Sequence, residues 1–287
     1  MDVPWHQIDT FAVDERTAWQ ALIALTRPNR NDSRTGEVGC EITTFEVPNL
    51  FQSMQNLDEV ARRLLEIYLP LCRGCSERFV VAHLGQSLDG RIAAANGASR
   101  WITGPEDITH NHRMRALFDA VLVGAGTVRH DDPQLTVRAV EGDHPVRVVL
   151  DAKRTLEPHH RLFADEVAPT VVLCDESLTT AGERLGTAEV VGLPVQDGDL
   201  CPRTVLDRLA ERGLKRVFVE GGGVTVSRFL AAGCLDRLQI TVAPLIIGSG
   251  RPSITLPEIE LLSSGLRPPV RRFELGEDVL FECCFDG

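Results

Sequence analysis

The stretch Arg216-Val217-Phe218-Val219-Glu220-Gly221-Gly222-Gly223-Val224-Thr225-Val226-Ser227-Arg228-Phe229-Leu230 decides how this chain folds. Its opening residues are β-branched or aromatic, with no breaker, and read as a buried strand. Three glycines follow, and Val226, Phe229 and Leu230 then recur at helical spacing. Strand, glycine turn and helix together bring bare backbone N–H groups and a positive helix end toward a phosphate. A plain tight turn between a core strand and a helix explains the same residues equally well. The glycines do not follow the GxGxxG spacing of the common dinucleotide fingerprint. Glu220 adds a carboxylate at the carboxyl end of a buried strand, the place that faces the ligand crevice in an open α/β sheet.

Upstream of this stretch, from Arg78 on, short apolar strands alternate with helices. Strands are expected at Phe79 to Leu84, Ala120 to Val123, Val146 to Leu150 and Val171 to Cys174, with Gly85 to Gly90 breaking the first. A helix is expected from Pro105 to about Leu117 and another from about Arg203 to Arg212. Downstream, Leu238 to Ala243 and Val279 to Cys284 close the chain as strands with few helices between them. The pattern predicts an α/β fold with a mostly parallel central sheet, helices on both faces and an antiparallel edge.

Residues 1–75 read differently, as an α-rich extension for packing, a lid or a dimer contact, ahead of a catalytic domain at 76–287. Ala18, Trp19, Leu22, Ile23 and Leu25 mark one helix. A polar loop at 27–39 and a short strand at 41–47 follow. A second helix carries Leu57, Val60, Ala61, Leu64, Leu65 and Tyr68, with Asn56 and Glu59 suiting its start and Pro70 its end.

Net charge is −11 over 287 residues, which argues against nucleic acid or an anionic membrane as the partner. No signal peptide and no run approaching about 18 apolar residues is visible, so a cytoplasmic protein is expected. The eight cysteines read as reduced thiols. Cys72-Arg73-Gly74-Cys75 is a CxxC without the second pair that a zinc site needs, and no metal is expected. The sequence has no GxSxG, no Walker motif and no HxE followed by PCxxC.

Several residues have both a chemical and a structural reading. Ser87-Leu88-Asp89-Gly90 is an ordinary turn composition. Trp101 suits the wall of a planar ligand or a core anchor. Arg115, on a helix, reads as a solvated charge when taken alone. Asp131-Asp132-Pro133 favours a turn. Lys153 and Arg154 follow a strand end; basic groups there accept the 2′-phosphate of NADP, or form an exposed loop.

Taken together, Ser87 to Gly90, Trp101-Ile102-Thr103, Asp119 to Thr127, Asp131 to Arg138, Val219 to Gly222 and Ala243 to Gly250 resemble the reductase domain of bifunctional riboflavin-biosynthesis proteins, over roughly residues 78–285. The resemblance implies a dihydrofolate-reductase-like three-layer fold, NADPH as cofactor and a homodimer. It implies reduction of a phosphorylated ribosylaminopyrimidine at the sugar C1′ to a ribitylamino product. By position, Ser99, Arg115, Leu135, Arg138 and Glu220 resemble substrate contacts. Gln86, Trp101, Gly124, Gly126, Thr127, Asp131, Ala152, Lys153 and the loop Gly221, Gly222, Gly223, Val224, Thr225, Val226, Ser227 resemble cofactor contacts. His83, Asp131 and Glu220 are the candidate catalytic groups. His83 stands where the family usually has Lys; a neutral imidazole offers a hydrogen bond or a proton instead of a constant charge. The zinc deaminase domain often fused upstream in that family is not recognisable in residues 1–75, which suggests a stand-alone reductase. Reduction of another pyrimidine or of a pterin such as dihydrofolate, and a non-catalytic NADPH-binding module, are the alternatives.

Overall fold

A computed structural model describes residues 13–26, 57–72 and 78–285, and the chain divides into two units, 1–75 and 76–287. In the first unit, Glu15–Thr26 (α1) and Glu59–Tyr68 (α2) are helices. Trp19 meets Tyr68 edge-on, with ring centroids 5.9 Å apart. Asp58, not Asn56, caps α2: its carboxylate accepts from the Ala61 N–H at 2.6 Å. A carboxylate at that place satisfies an orphan N–H and complements the helix dipole. The α-helix stops at Tyr68, and Pro70 sits in a following 3-10 turn. The loop expected at 27–39, the strand expected at 41–47 and Cys75 lie outside the described residues. Cys72 is buried, and its thiol donates to the Tyr68 carbonyl.

In the second unit the elements run β1 (Phe79–Ser87), β2 (Arg91–Ala93), α3 (Pro105–Leu117), β3 (Ala120–Gly124), α4 (Ala125–Asp131), β4 (Val146–Leu150), α5 (Arg161–Ala164) and β5 (Thr170–Asp175). They continue with β6 (Arg184–Leu185), β7 (Ala188–Leu193), β8 (Val195–Gln196), β9 (Asp199–Leu200), α6 (Pro202–Glu211), β10 (Arg216–Glu220) and α7 (Gly223–Ala231). The last are β11 (Arg237–Ala243), β12 (Arg251–Pro252), β13 (Val270–Leu275) and β14 (Asp278–Cys284).

Ten strands form one sheet in the order β13-β14-β11-β1-β10-β3-β4-β5-β7-β6. From β11 to β7 every pairing is parallel; β14 and β13 add antiparallel at one edge and β6 at the other. This is the α/β class, a mostly parallel sheet with an antiparallel edge, that the strand and helix alternation predicts. The central strands are apolar on both faces because both are covered. On β1, Val80, Ala82 and Leu84 share a core with Val217 and Val219 of β10, Val226 and Phe229 of α7, and Val205 and Leu209 of α6. The opposite face of β1 meets α3 and the residues just before it.

Gly85 does not break β1, which continues to Ser87. A Cβ at Gly85 would lie 2.8 Å from Thr103 Cγ2 and 3.3 Å from Asp107 Oδ2. The glycine admits the start of α3 against the strand rather than ending it. The Ser87 to Gly90 turn is likewise specific. Asp89 accepts from Ser87 Oγ at 2.6 Å, Ile247 N at 3.1 Å and Gly248 N at 2.6 Å, which docks the 245–250 loop onto the end of β1. The Ser87 hydroxyl first, and these amides with it, lower the Asp89 pKa to about 2.

Candidate functional site

The carboxyl ends of β3, β4 and β10 open onto a cleft of about 710 Å³. One wall is Gly124-Ala125-Gly126-Thr127, the N-cap and first turn of α4; another is Gly222-Gly223-Val224-Thr225 at the start of α7. The Gly222 N–H donates to Thr127 Oγ1 at 3.0 Å and ties the two walls together. The Gly221–Gly222 peptide is cis. A Cβ at Gly124 would stand 2.5 Å from Thr225 Oγ1, and one at Gly223 would stand 2.4 Å from the Ser253 carbonyl oxygen. Those two glycines exist for close approach. Gly126 has nothing within 4 Å of its Cβ position, so its backbone is bare toward the cleft.

Leu150, Asp151, Ala152 and Lys153 form a third side. Arg154 turns away, at φ +54, and pairs with Glu183 at 2.5 Å. Ser99 and Asp131 meet at the rim, the Ser99 hydroxyl donating to Asp131 Oδ1 at 2.9 Å.

Arg115 and Glu220 form a second centre beside the first. Arg115 is only 8% exposed, not the solvated charge its helix position suggests. Its Nε donates to Glu220 Oε2 at 2.6 Å, Nη2 donates to Oε1, and Nη1 donates to the Thr136 carbonyl at 2.9 Å. Leu135, buried at φ +53, belongs to the same turn. A left-handed leucine is uncommon and marks a backbone held in place by its surroundings. Arg138 is exposed; its side chain donates to Thr136 Oγ1 and its N–H donates to His112 Nδ1 at 3.0 Å. Burial, then the Arg115 and Arg138 charges, lower the His112 pKa to about 4.

His83 does not line the cleft. It is 3% exposed, with Nε2 3.1 Å from Asp107 Oδ1 and 3.1 Å from Thr241 Oγ1. Asp107 also accepts from Thr241 Oγ1 at 2.6 Å and from Thr103 Oγ1 at 2.7 Å. Burial alone would raise the Asp107 pKa; the charge and hydrogen bond of His83 outweigh it and hold the group well below the usual carboxylate range. His110 meets His83 edge-on and reaches Gln239 Oε1 at 2.9 Å, and Gln239 donates to Glu282 at 2.9 Å. His83 is thus one end of a buried polar layer that fixes α3 to the sheet.

The other expected positions are spread around the two centres. Gln86 lies on β1, opposite Val242 of β11. Trp101 is 81% exposed at φ +65, which removes the core-anchor reading. Gly221 leads into the cleft wall at φ +74. Val226 belongs to the core, and Ser227 Oγ accepts from the Thr255 N–H at 2.9 Å. The cleft also contains Arg129, His130, Arg228 and Arg251, none of them singled out by the sequence reading. Arg129 and His130 sit on α4, a helix hidden by its glycine start and its Asp-Asp-Pro end. Arg251 enters through the pairing of β12 with β2, a long-range contact with no local signature.

Comparison with known proteins gives concordant matches. The model of the RibD C-terminal domain family matches residues 78–269. The chain is 38% identical over 218 residues to 2,5-diamino-6-ribosylamino-4(3H)-pyrimidinone 5′-phosphate reductase of Methanothermobacter thermautotrophicus, covering 73% of this chain and 99% of that one. It is 34% identical over 263 residues to the riboflavin biosynthesis protein RibD of Aquifex aeolicus, covering 86% of this chain and 72% of the relative. Among solved structures, a diaminohydroxyphosphoribosylaminopyrimidine deaminase/5-amino-6-(5-phosphoribosylamino)uracil reductase of Thermotoga maritima superimposes with a TM-score of 0.62 at 29% identity, covering 83% of this chain and 66% of that one.

Proposed function

This chain belongs to the RibD C-terminal domain family, and from that premise we propose that it is an NADPH-dependent reductase of a phosphorylated ribosylaminopyrimidine, acting at the ribose C1′ to give a ribitylamino product. The observation that carries the reading is the cleft between Gly124–Thr127 and Gly222–Thr225. Two glycine-rich walls, tied by the Gly222 N–H to Thr127 bond and bare at Gly126, suit a diphosphate, and the N-terminus of the nine-residue α7 adds its positive end. The donor set also fits: Lys153, Arg129 and Arg251 face a cleft whose acid on the β4 side, Asp151, is 2% exposed. The nicotinamide cofactor, when bound, supplies the hydride.

The chain's own residues supply position and charge. Arg138, exposed beside the Arg115–Glu220 pair, is the group we assign to the substrate phosphate. Arg115 fixes the Glu220 carboxylate two residues before the glycine wall, where we assign it to the substrate's polar groups. Ser99 and Asp131, joined by their hydrogen bond, hold the rim of the cleft. His83 acts through Asp107 by holding Thr103 and the start of α3. A cytoplasmic homodimer belongs to the same reading; no helix among the described residues is long and apolar enough to cross a membrane.

The test is NADPH consumption with the ring-openable phosphoribosylaminopyrimidine, in its amino and its deaminated uracil form, with product mass followed in parallel. A gain of two hydrogens at the sugar is expected. Tight NADPH binding with neither pyrimidine reduced would retire the reductase assignment and leave a nucleotide-binding module.

A further inference from the structure

Strand β3, helix α4 capped by Gly124 and the parallel strand β4 together make a βαβ unit, and the residue directly after β4 is an acid. In such units an acid at the end of the second strand accepts the ribose 2′-hydroxyl of a non-phosphorylated dinucleotide. Asp151 occupies that place but is withdrawn from it. Its Oδ1 accepts from the Thr155 N–H at 3.0 Å and from Thr155 Oγ1 at 2.9 Å, and its Oδ2 accepts from the Leu156 N–H at 2.9 Å. It is 2% exposed. The Thr155 hydroxyl, donating to Asp151, accepts from Arg129 Nη2 at 2.7 Å. That bond uses one of the five guanidinium N–H groups and fixes the side chain at the cleft wall beside Lys153.

We propose that Arg129 selects a 2′-phosphorylated adenosine cofactor, standing with Lys153 where Asp151 has been turned inward by Thr155. The inference rests on the cofactor reading above and gives it a residue. A guanidinium matches a phosphate in a two-point geometry, and the inward acid leaves a free 2′-hydroxyl without its usual acceptor.

The test is calorimetric titration of the intact protein with 2′,5′-ADP and with 5′-AMP. Neither probe carries nicotinamide, so the result does not depend on turnover. The wild-type protein is expected to prefer 2′,5′-ADP by about tenfold or more, the range of one or two charged hydrogen bonds. Arg129→Ala, an exposed position, is expected to lose about tenfold of that preference with 5′-AMP affinity unchanged, and Arg129→Lys to keep part of it. Equal binding of the two probes by the wild type, or an undiminished preference in Arg129→Ala, overturns the assignment. A protein that discriminates the probes yet reduces no pyrimidine removes the proposed activity and leaves this inference standing. One that reduces the pyrimidine equally with NADPH and NADH does the reverse.

Discussion

Arg115 and Glu220, 105 residues apart in sequence, meet in a two-point ion pair in which Nε stands 2.6 Å from Oε2 and Nη2 donates to Oε1. The pair joins α3 to the end of β10, so the helix and the strand that lead into the site share one charge contact. With side chains only 10% and 17% exposed, neither charge has water to fall back on. Arg115→Ala leaves Glu220 unpaired and frees the Thr136 carbonyl, and is expected to lower stability by about 3 kcal/mol. Arg115→Lys keeps the charge but not the fork, and is expected to recover only part. Urea midpoints of the two variants check this; a midpoint for Arg115→Ala equal to wild type would mean that the pair is solvated.

Stability is expected to fall as pH drops below neutrality. His110 is buried, and burial, with the neighbouring His83 ring next, lowers its pKa to about 4. The folded value lies below the unfolded value of about 6.5, so the unfolded chain takes up the proton first as pH falls. His110 therefore contributes fully above about pH 6.5, and its contribution declines toward pH 4, a loss on the order of 3 kcal/mol. His112 shifts in the same direction. Asp107, whose pKa is lowered, adds a separate loss at still more acid pH. Equal urea midpoints at pH 7.5 and pH 5 would contradict this.

Glycines of the cleft separate folding from binding. Gly223→Ala drives a Cβ to 2.4 Å from the Ser253 carbonyl oxygen, a backbone atom that cannot swing aside, and is expected to lower Tm by several degrees. Gly126→Ala meets nothing within 4 Å and lies in α4, where alanine is favoured, so Tm is expected to hold or rise. Its methyl group enters the cleft, and NADPH affinity is expected to fall several-fold. Thermal melts and cofactor titrations on both variants settle the contrast. An unfolded Gly126→Ala protein, or one that binds as tightly as wild type, would place that residue elsewhere.

Asp89 holds the 245–250 loop by its carboxylate. In Asp89→Ala the Ile247 and Gly248 amides lose their acceptor and are expected to exchange hydrogen faster, with β1 and β11 unchanged. Hydrogen exchange read at those two amides is the check, and unaltered rates there would show that the loop is held by something else.

Much of the sheet is legible in the sequence because its central strands are apolar without interruption. Val80 to Leu84, Ala120 to Val123 and Val217 to Val219 announce themselves by composition. The edge strand β13, Val-Arg-Arg-Phe-Glu-Leu, does not, because one of its faces is exposed and charged. The helix α4 is hidden for a different reason: its seven residues start at a glycine turn and end at an Asp-Asp-Pro, both of which read as loop. The site itself is legible in its glycines and in Lys153, which follow strand ends. The burial of Arg115, the inward turn of Asp151 and the seat of His83 on Asp107 are not. Each depends on a partner brought by folding, and a lone charged residue on a helix or strand does not say whether such a partner exists.

The walls of the cleft are drawn from Ile92 through Thr255, with pieces of α4, β4, β9, α7 and β12 alternating around it. No contiguous segment of the chain carries more than a fragment of this surface. A ligand that fills it therefore acts as a clasp across the whole catalytic unit: occupancy raises the cost of unfolding every part at once, and a single nick anywhere between those residues weakens ligand retention before it erases secondary structure.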